Sequence, residues 1–130
     1  MNKILLIDDD PSNREILKAR LEALGHEVLE ASNGEDGLTA AQQSAPALIF
    51  LDVMMPRLDG WHVCRALKSN PRTRDIPVVM LTALSQQMDE LRGYESGVNE
   101  YLTKPWDPDQ LQQVLDRWLL PTGRVVPKEH

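Results

Sequence analysis

Three stretches of this chain, KILLI at 3–7, ALIFL at 47–51 and IPVVML at 76–81, are apolar at nearly every position. A run of five or six such residues has no polar face to turn to water. Parallel strands covered by helices on both sides meet that demand. HEVLEA at 26–31 and EYLT at 100–103 alternate more and suit the edges of the same sheet. Helical spacing fills the gaps. Asp10-Pro11 reads as an N-cap with proline at the first helical position, followed by an apolar stripe of Ile16, Leu17, Leu21 and Leu24, with Gly25 as the stop. Asn33 is expected to cap a helix over 34–43, and a third helix is predicted over 60–69 with Val63, Cys64 and Leu67 inward. A polar, weakly patterned segment at 85–95 is the fourth. Asp107-Pro108 opens the fifth, where Leu111, Val114, Leu115, Trp118 and Leu119 share one face. Strand then helix, five times over, predicts an α/β fold with a parallel sheet and right-handed crossovers. The periodicity spans residues 1–120 as one domain, and 121–130 reads as a tail or the start of a linker.

Charge and cysteine content narrow the classes of function. A net charge of −6 without a Lys/Arg cluster argues against direct nucleic acid or anionic membrane partners. No apolar run is long enough to span a bilayer, and the start of the chain lacks the pattern of a signal peptide. The single cysteine, Cys64, cannot form an internal disulfide, so a reducing cytoplasm is the expected location.

In open α/β sheets, ligands bind beyond the carboxyl ends of the strands. At those ends this sequence places Asp8, Asp9 and Asp10, then Asp52, then Thr82, then Lys104 and Pro105. Clustered carboxylates repel one another unless one takes a proton or a cation sits among them. A hard divalent ion, held by one or two carboxylates and completed by a phosphoryl oxygen, relieves the repulsion. A lysine and a threonine at the same rim supply donors to such a group. Asp52 is then a candidate to carry the phosphoryl group covalently.

Taken together, ILLIDDDPSNREIL, IFLDVMMPRLDG, VVMLTA and YLTKPW resemble the receiver domain of two-component response regulators, over residues 2 to about 120. The resemblance implies a flavodoxin-like (βα)5 three-layer sandwich with strand order 2-1-3-4-5. It makes Asp52 the phosphoacceptor and Lys104 the phosphate-binding lysine. Thr82 and Tyr101 become switch residues. Mg²⁺, with Mn²⁺ as a substitute, would be held by Asp8, Asp9, Asp52 and the backbone carbonyl of Met54. Lys104-Pro105 would be a cis peptide bond. Met54 and Leu84, two residues after Asp52 and Thr82, match positions that tune dephosphorylation. Being bulky and apolar, they predict a long-lived acyl phosphate. The implied partners are a sensor histidine kinase or histidine phosphotransfer protein and, downstream, a partner protein or a missing output domain. The responding surface would comprise the 85–95 helix, the 100–103 strand and the last helix. A homodimer formed on phosphorylation is compatible with this. The charged dimer of the winged-helix DNA-binding members is not favoured, because the last helix offers only Arg117.

Plainer readings stand beside these. Asp10 is expected to cap a helix, Cys64 to pack in the core, and Trp61, Trp106 and Trp118 to pack or meet a partner. His26, His62 and His130 show no ligand spacing. A pseudo-receiver, which keeps the fold as an interaction module without phosphorylation, should lack one of the key groups; all are present. LLIDDD also fits a haloacid dehalogenase-type phosphatase, with Asp8 as nucleophile and Asp10 as acid/base. Such an enzyme needs a further acidic motif after its lysine, where this chain has only Asp107, Asp109 and Asp116 on or capping a helix.

Overall fold

Each apolar run becomes a strand in the structure, a computed structural model that describes residues 2–83 and 97–119. The strands are β1 (Lys3–Ile7), β2 (Glu27–Ala31), β3 (Leu48–Asp52), β4 (Val78–Ala83) and β5 (Glu100–Lys104). They form one parallel sheet in the order β2-β1-β3-β4-β5, so the two alternating segments take the two edges. Among the described residues the helices are α1 (Pro11–Ala23), α2 (Gly34–Ser44), α3 (Gly60–Ser69) and α4 (Pro108–Trp118). None is long and apolar enough to cross a membrane. The helix expected at 85–95 and the segment 121–130 lie outside the described residues.

The side-chain period of two along each strand divides the core between two faces. Leu5, Ile7, Ile49, Leu51, Val78 and Met80 pack with α2 and α3 through Ala41, Trp61, Val63, Cys64 and Leu67. Ile4, Leu6, Leu48, Phe50, Val79 and Leu81 pack with α1 and α4 through Leu17, Leu21, Leu111, Val114 and Leu115. The helix starts follow from side-chain chemistry. Asp10, Asn33, Asp59 and Asp107 each accept a bond from a main-chain N–H of the first turn, and Asp107 with Gln110 completes a capping box. Gly25, at φ +94°, takes the left-handed turn that ends α1. Across the β5 edge, Arg117 and Trp118 of α4 both donate to the Glu100 carboxylate.

Two expectations need correction. Ile16 is 62% exposed and Leu24 is 38% exposed, so the buried stripe of α1 is Leu17 and Leu21 alone. Ile16 lies about 100° round the helix from Leu17, and Leu24 falls at the C-cap, past the last helical turn. β4 also begins two residues later than its apolar run. Pro77 has no N–H for the ladder, and Ile76 instead closes a turn by donating to Thr73 O at 3.0 Å.

Candidate functional site

At its carboxyl end β4 extends two residues beyond its apolar run, and β3 and β5 each extend one. Asp52, Thr82 and Lys104 are therefore the last or next-to-last residues of strands, held by the ladder rather than by loops. Asp52 lies opposite Leu81, Thr82 opposite Thr103 and Ala83 opposite Lys104. The chain leaves β3 through Val53, whose N–H donates to Leu81 O at 3.2 Å, and enters α3 at Gly60, whose N–H donates to Val53 O at 2.9 Å. Gly60 sits so close to the acceptor strand that a Cβ there would lie 2.4 Å from the Asp52 carbonyl oxygen.

Asp8 follows β1 directly and is 1% exposed. Its N–H donates to Ala31 O at 3.1 Å, its carbonyl accepts from Arg14 Nη1 at 2.7 Å, and its Oδ1 accepts from Asp10 N at 2.9 Å. Asp9 is exposed, while Asp52 is only 7% exposed. Asp8, Asp9 and Asp52 each bring a carboxylate oxygen within 4.8 Å of the others. Lys104 Nζ stands 3.2 Å from Asp52 Oδ1 and 3.6 Å from Asp8 Oδ2. One ammonium does not balance three carboxylates. Burial first, then repulsion from Asp8, pushes the Asp52 carboxyl from 3.8 up to about 6, against the pull of Lys104. An all-oxygen donor set with this excess negative charge suits a hard divalent cation such as Mg²⁺.

The other expected residues fall around this centre. Thr82 is buried. It shares the α3-facing side of β4 with Met80, whose register partner is Tyr101. The Tyr101 ring meets the buried Trp61 of α3 edge-on, with centroids 6.3 Å apart. The Lys104–Pro105 peptide bond is cis. Met54 leaves the strand with its side chain 64% exposed, and Leu84 lies outside the described residues. Asp10 is not part of the cluster: its Oδ1 caps Ser12 N at 2.9 Å and its Oδ2 accepts from Asn13 Nδ2 at 3.2 Å. Asp107 caps α4 and Asp116 accepts from Gln112, so neither supplies the acidic motif that the phosphatase reading requires.

Sequence reasoning missed three features. Arg14 binds a main-chain oxygen, which no spacing of side chains reveals. His62, given no partner, lies 2.8 Å from Asp59 Oδ1 beside the α3 cap. A cavity of about 330 Å³ next to the acidic cluster is lined by Asn13, Ile16, Leu81 and Trp106, among others. Trp106 also packs against the core on the α1 and α4 side, the packing role expected of it.

The family model described as "Response regulator receiver domain" matches residues 4–116. The DNA-binding dual master transcriptional regulator RpaA of Synechocystis sp. is 43% identical over 125 residues, covering 96% of this chain and 52% of that protein. The response regulator PleD of Caulobacter vibrioides is 48% identical over 105 residues, covering 81% of this chain and 23% of that protein. The chain thus spans about half the length of RpaA, and less of PleD. Among solved structures, the receiver domain of the sensor histidine kinase PA1611 from Pseudomonas aeruginosa, with a magnesium ion coordinated in its active site cleft, superposes with a TM-score of 0.83 at 32% identity, covering 90% of this chain and 96% of that one.

Proposed function

The chain belongs to the response regulator receiver domain family, and from that premise we propose that it is a Mg²⁺-dependent phosphorylation switch whose acceptor is Asp52. The observation that carries the proposal is the placement of the Asp52 carboxylate, nearly buried, between Lys104 Nζ at 3.2 Å and the Asp8–Asp9 pair. In this reading Asp8, Asp9, Asp52 and the Met54 carbonyl hold the cation. When bound, Mg²⁺ or Mn²⁺ neutralises charge on the phosphoryl oxygens.

The chain's own groups do the rest. An Asp52 oxygen attacks phosphorus as the phosphorus–nitrogen bond of a donor phosphohistidine breaks, and the imidazole leaves with the bonding pair. Lys104 gives up part of its contact with Asp52 to hold a phosphoryl oxygen. Burial keeps bulk water from the acyl phosphate, and two apolar neighbours in the sequence, Met54 and Leu84, slow its hydrolysis. The Thr82 hydroxyl turns to donate to the phosphoryl group. Tyr101, on the same side of the neighbouring strand, responds by repacking. The added charge and acceptor oxygens bias a two-state surface built from β5, α4 and the segment before β5. The chain catalyses only its own phosphorylation and dephosphorylation. Its partners in this reading are a histidine kinase or phosphotransfer protein and a downstream protein or output domain; the greater length of RpaA and PleD supports the latter.

The test is intact mass after incubation with acetyl phosphate and Mg²⁺. A gain of one phosphoryl mass is expected in the wild type, and none in Asp52→Asn or with a chelator. Uptake undiminished in Asp52→Asn would overturn the assignment.

A further inference from the structure

Arg14 places a positive charge at the edge of a site that should attract a cation. Its side chain is 18% exposed and divided between two partners. Nη1 donates to the main-chain carbonyl of Asp8 at 2.7 Å, and Nε donates to Glu30 Oε1 at 3.2 Å. Glu30 stands on the edge strand β2, and its other oxygen is 3.0 Å from Lys18 Nζ, one turn further along α1. Lys18 and, to a smaller extent, Arg14 hold the Glu30 carboxyl below the usual range, so it is fully charged at neutral pH. Asp8 is thereby fixed on three sides. Its N–H is tied to β2 through Ala31 O, its carbonyl to α1 through Arg14, and its Oδ1 to the turn through Asp10 N. Oδ2 remains, 3.6 Å from Lys104 Nζ at the centre of the site.

We propose that Arg14, anchored by Glu30, is a positioning residue for the metal site: it sets the direction in which Asp8 presents its carboxylate to Mg²⁺. The proposal rests on reading Asp8, Asp9 and Asp52 as a Mg²⁺ site. The guanidinium suits the task because its planar fork delivers two donors at a fixed angle, one to the carbonyl and one to the anchor, where a lysine ammonium is a single point charge. Glu30 has a second effect. By compensating Arg14 it lowers the repulsion that a bare guanidinium would exert on an incoming cation.

The three roles open to Arg14 differ in the sign of their effect on Mg²⁺ affinity. A positioning residue, once removed, weakens binding. A merely repulsive charge, once removed, tightens it. A purely structural residue lowers the melting temperature and leaves affinity unchanged. The experiment is calorimetric titration of the full chain with Mg²⁺ alone, beside thermal melts in chelator, for wild type, Arg14→Ala, Arg14→Lys and Glu30→Gln. Arg14→Ala is expected to weaken Mg²⁺ binding about tenfold, the scale of lost support to a metal ligand. Arg14→Lys should also weaken it although charge is kept, and Glu30→Gln should weaken it by a smaller factor. Unchanged or tighter binding by Arg14→Ala overturns the proposal. Should that variant fail to fold by circular dichroism, unchanged binding by both Arg14→Lys and Glu30→Gln overturns it instead. A wild type that binds no Mg²⁺ at millimolar concentration removes the metal site and this role with it. A wild type that binds while all three variants match it removes the role of Arg14 alone.

Discussion

The surroundings of Asp52 work against the form its chemistry needs, although the carboxyl stays mostly ionised at neutral pH. A nucleophilic carboxylate must be ionised, yet burial and the Asp8 charge raise its carboxyl to about 6. The consequence for stability has a definite sign. Between 3.8 and about 6 the folded chain keeps a proton that the unfolded chain has released, so stability falls as pH rises through that window, and the cost is complete above it. Asp52→Asn removes the titration. In chelator at pH 7.5 the variant should be more stable than wild type by about 1–2 kcal/mol, after allowance for water at the rim, with the difference closing towards pH 4. Urea denaturation at several pH values measures this; a gap that widens on acidification would contradict it. Mg²⁺ should offset the same cost in the wild type, more at pH 7.5 than at pH 5, where protons compete for the oxygens. A second expectation concerns the acyl phosphate. Met54→Asn/Leu84→Glu replaces two bulky apolar side chains by groups that can hold a water. The double variant should lose its phosphoryl group faster than wild type, read as a shorter half-life by intact mass.

At the scale of elements, the site depends on how closely α3 approaches β3. The Cβ of Gly60→Ala would lie 2.4 Å from Asp52 O and 2.8 Å from Val53 Cα, both main-chain atoms that cannot swing aside. The substitution should cost about 1–3 kcal/mol and lower phosphoryl uptake together with stability. Normal uptake in a destabilised Gly60→Ala protein would show that the acceptor does not depend on this approach. Elements of this kind were legible in the sequence to different degrees. Apolar runs exposed β1 and β3 because a strand covered on both faces has no polar positions to confuse the pattern. Caps at Asp10, Asn33 and Asp107 were legible because a short side-chain acceptor beside a proline or glycine has few other uses. The acidic rim followed from the strand ends once the sheet was inferred, and the resemblance then gave roles to Thr82, Lys104 and Tyr101. Ile16 misled because a helix's apolar stripe is read from spacing alone, while what covers it is set by a neighbour. The contact of Gly60 with Asp52 and the bond from Arg14 to Asp8 were not legible. Both involve main-chain atoms brought together by tertiary packing, and those atoms are the same in every residue.

At the scale of the whole molecule, the site and the sheet are one object. Asp8 depends on β2 for its N–H partner, Asp52 on β4 for its register, and Lys104 on the far edge strand. No single strand–helix unit holds two of these three. Loss of phosphoryl uptake in urea should therefore coincide with loss of helical circular dichroism, with superposable transitions. Uptake that vanishes first would show that the rim opens ahead of the core. The register has one further consequence. Strand side chains point alternately to opposite faces, so removing a single apolar residue from within β3 would leave the charge and the motif order intact while sending Asp52 to the other layer. The chemistry is encoded in parity, the odd or even count of residues from the pairing partner, as firmly as in the carboxylate itself.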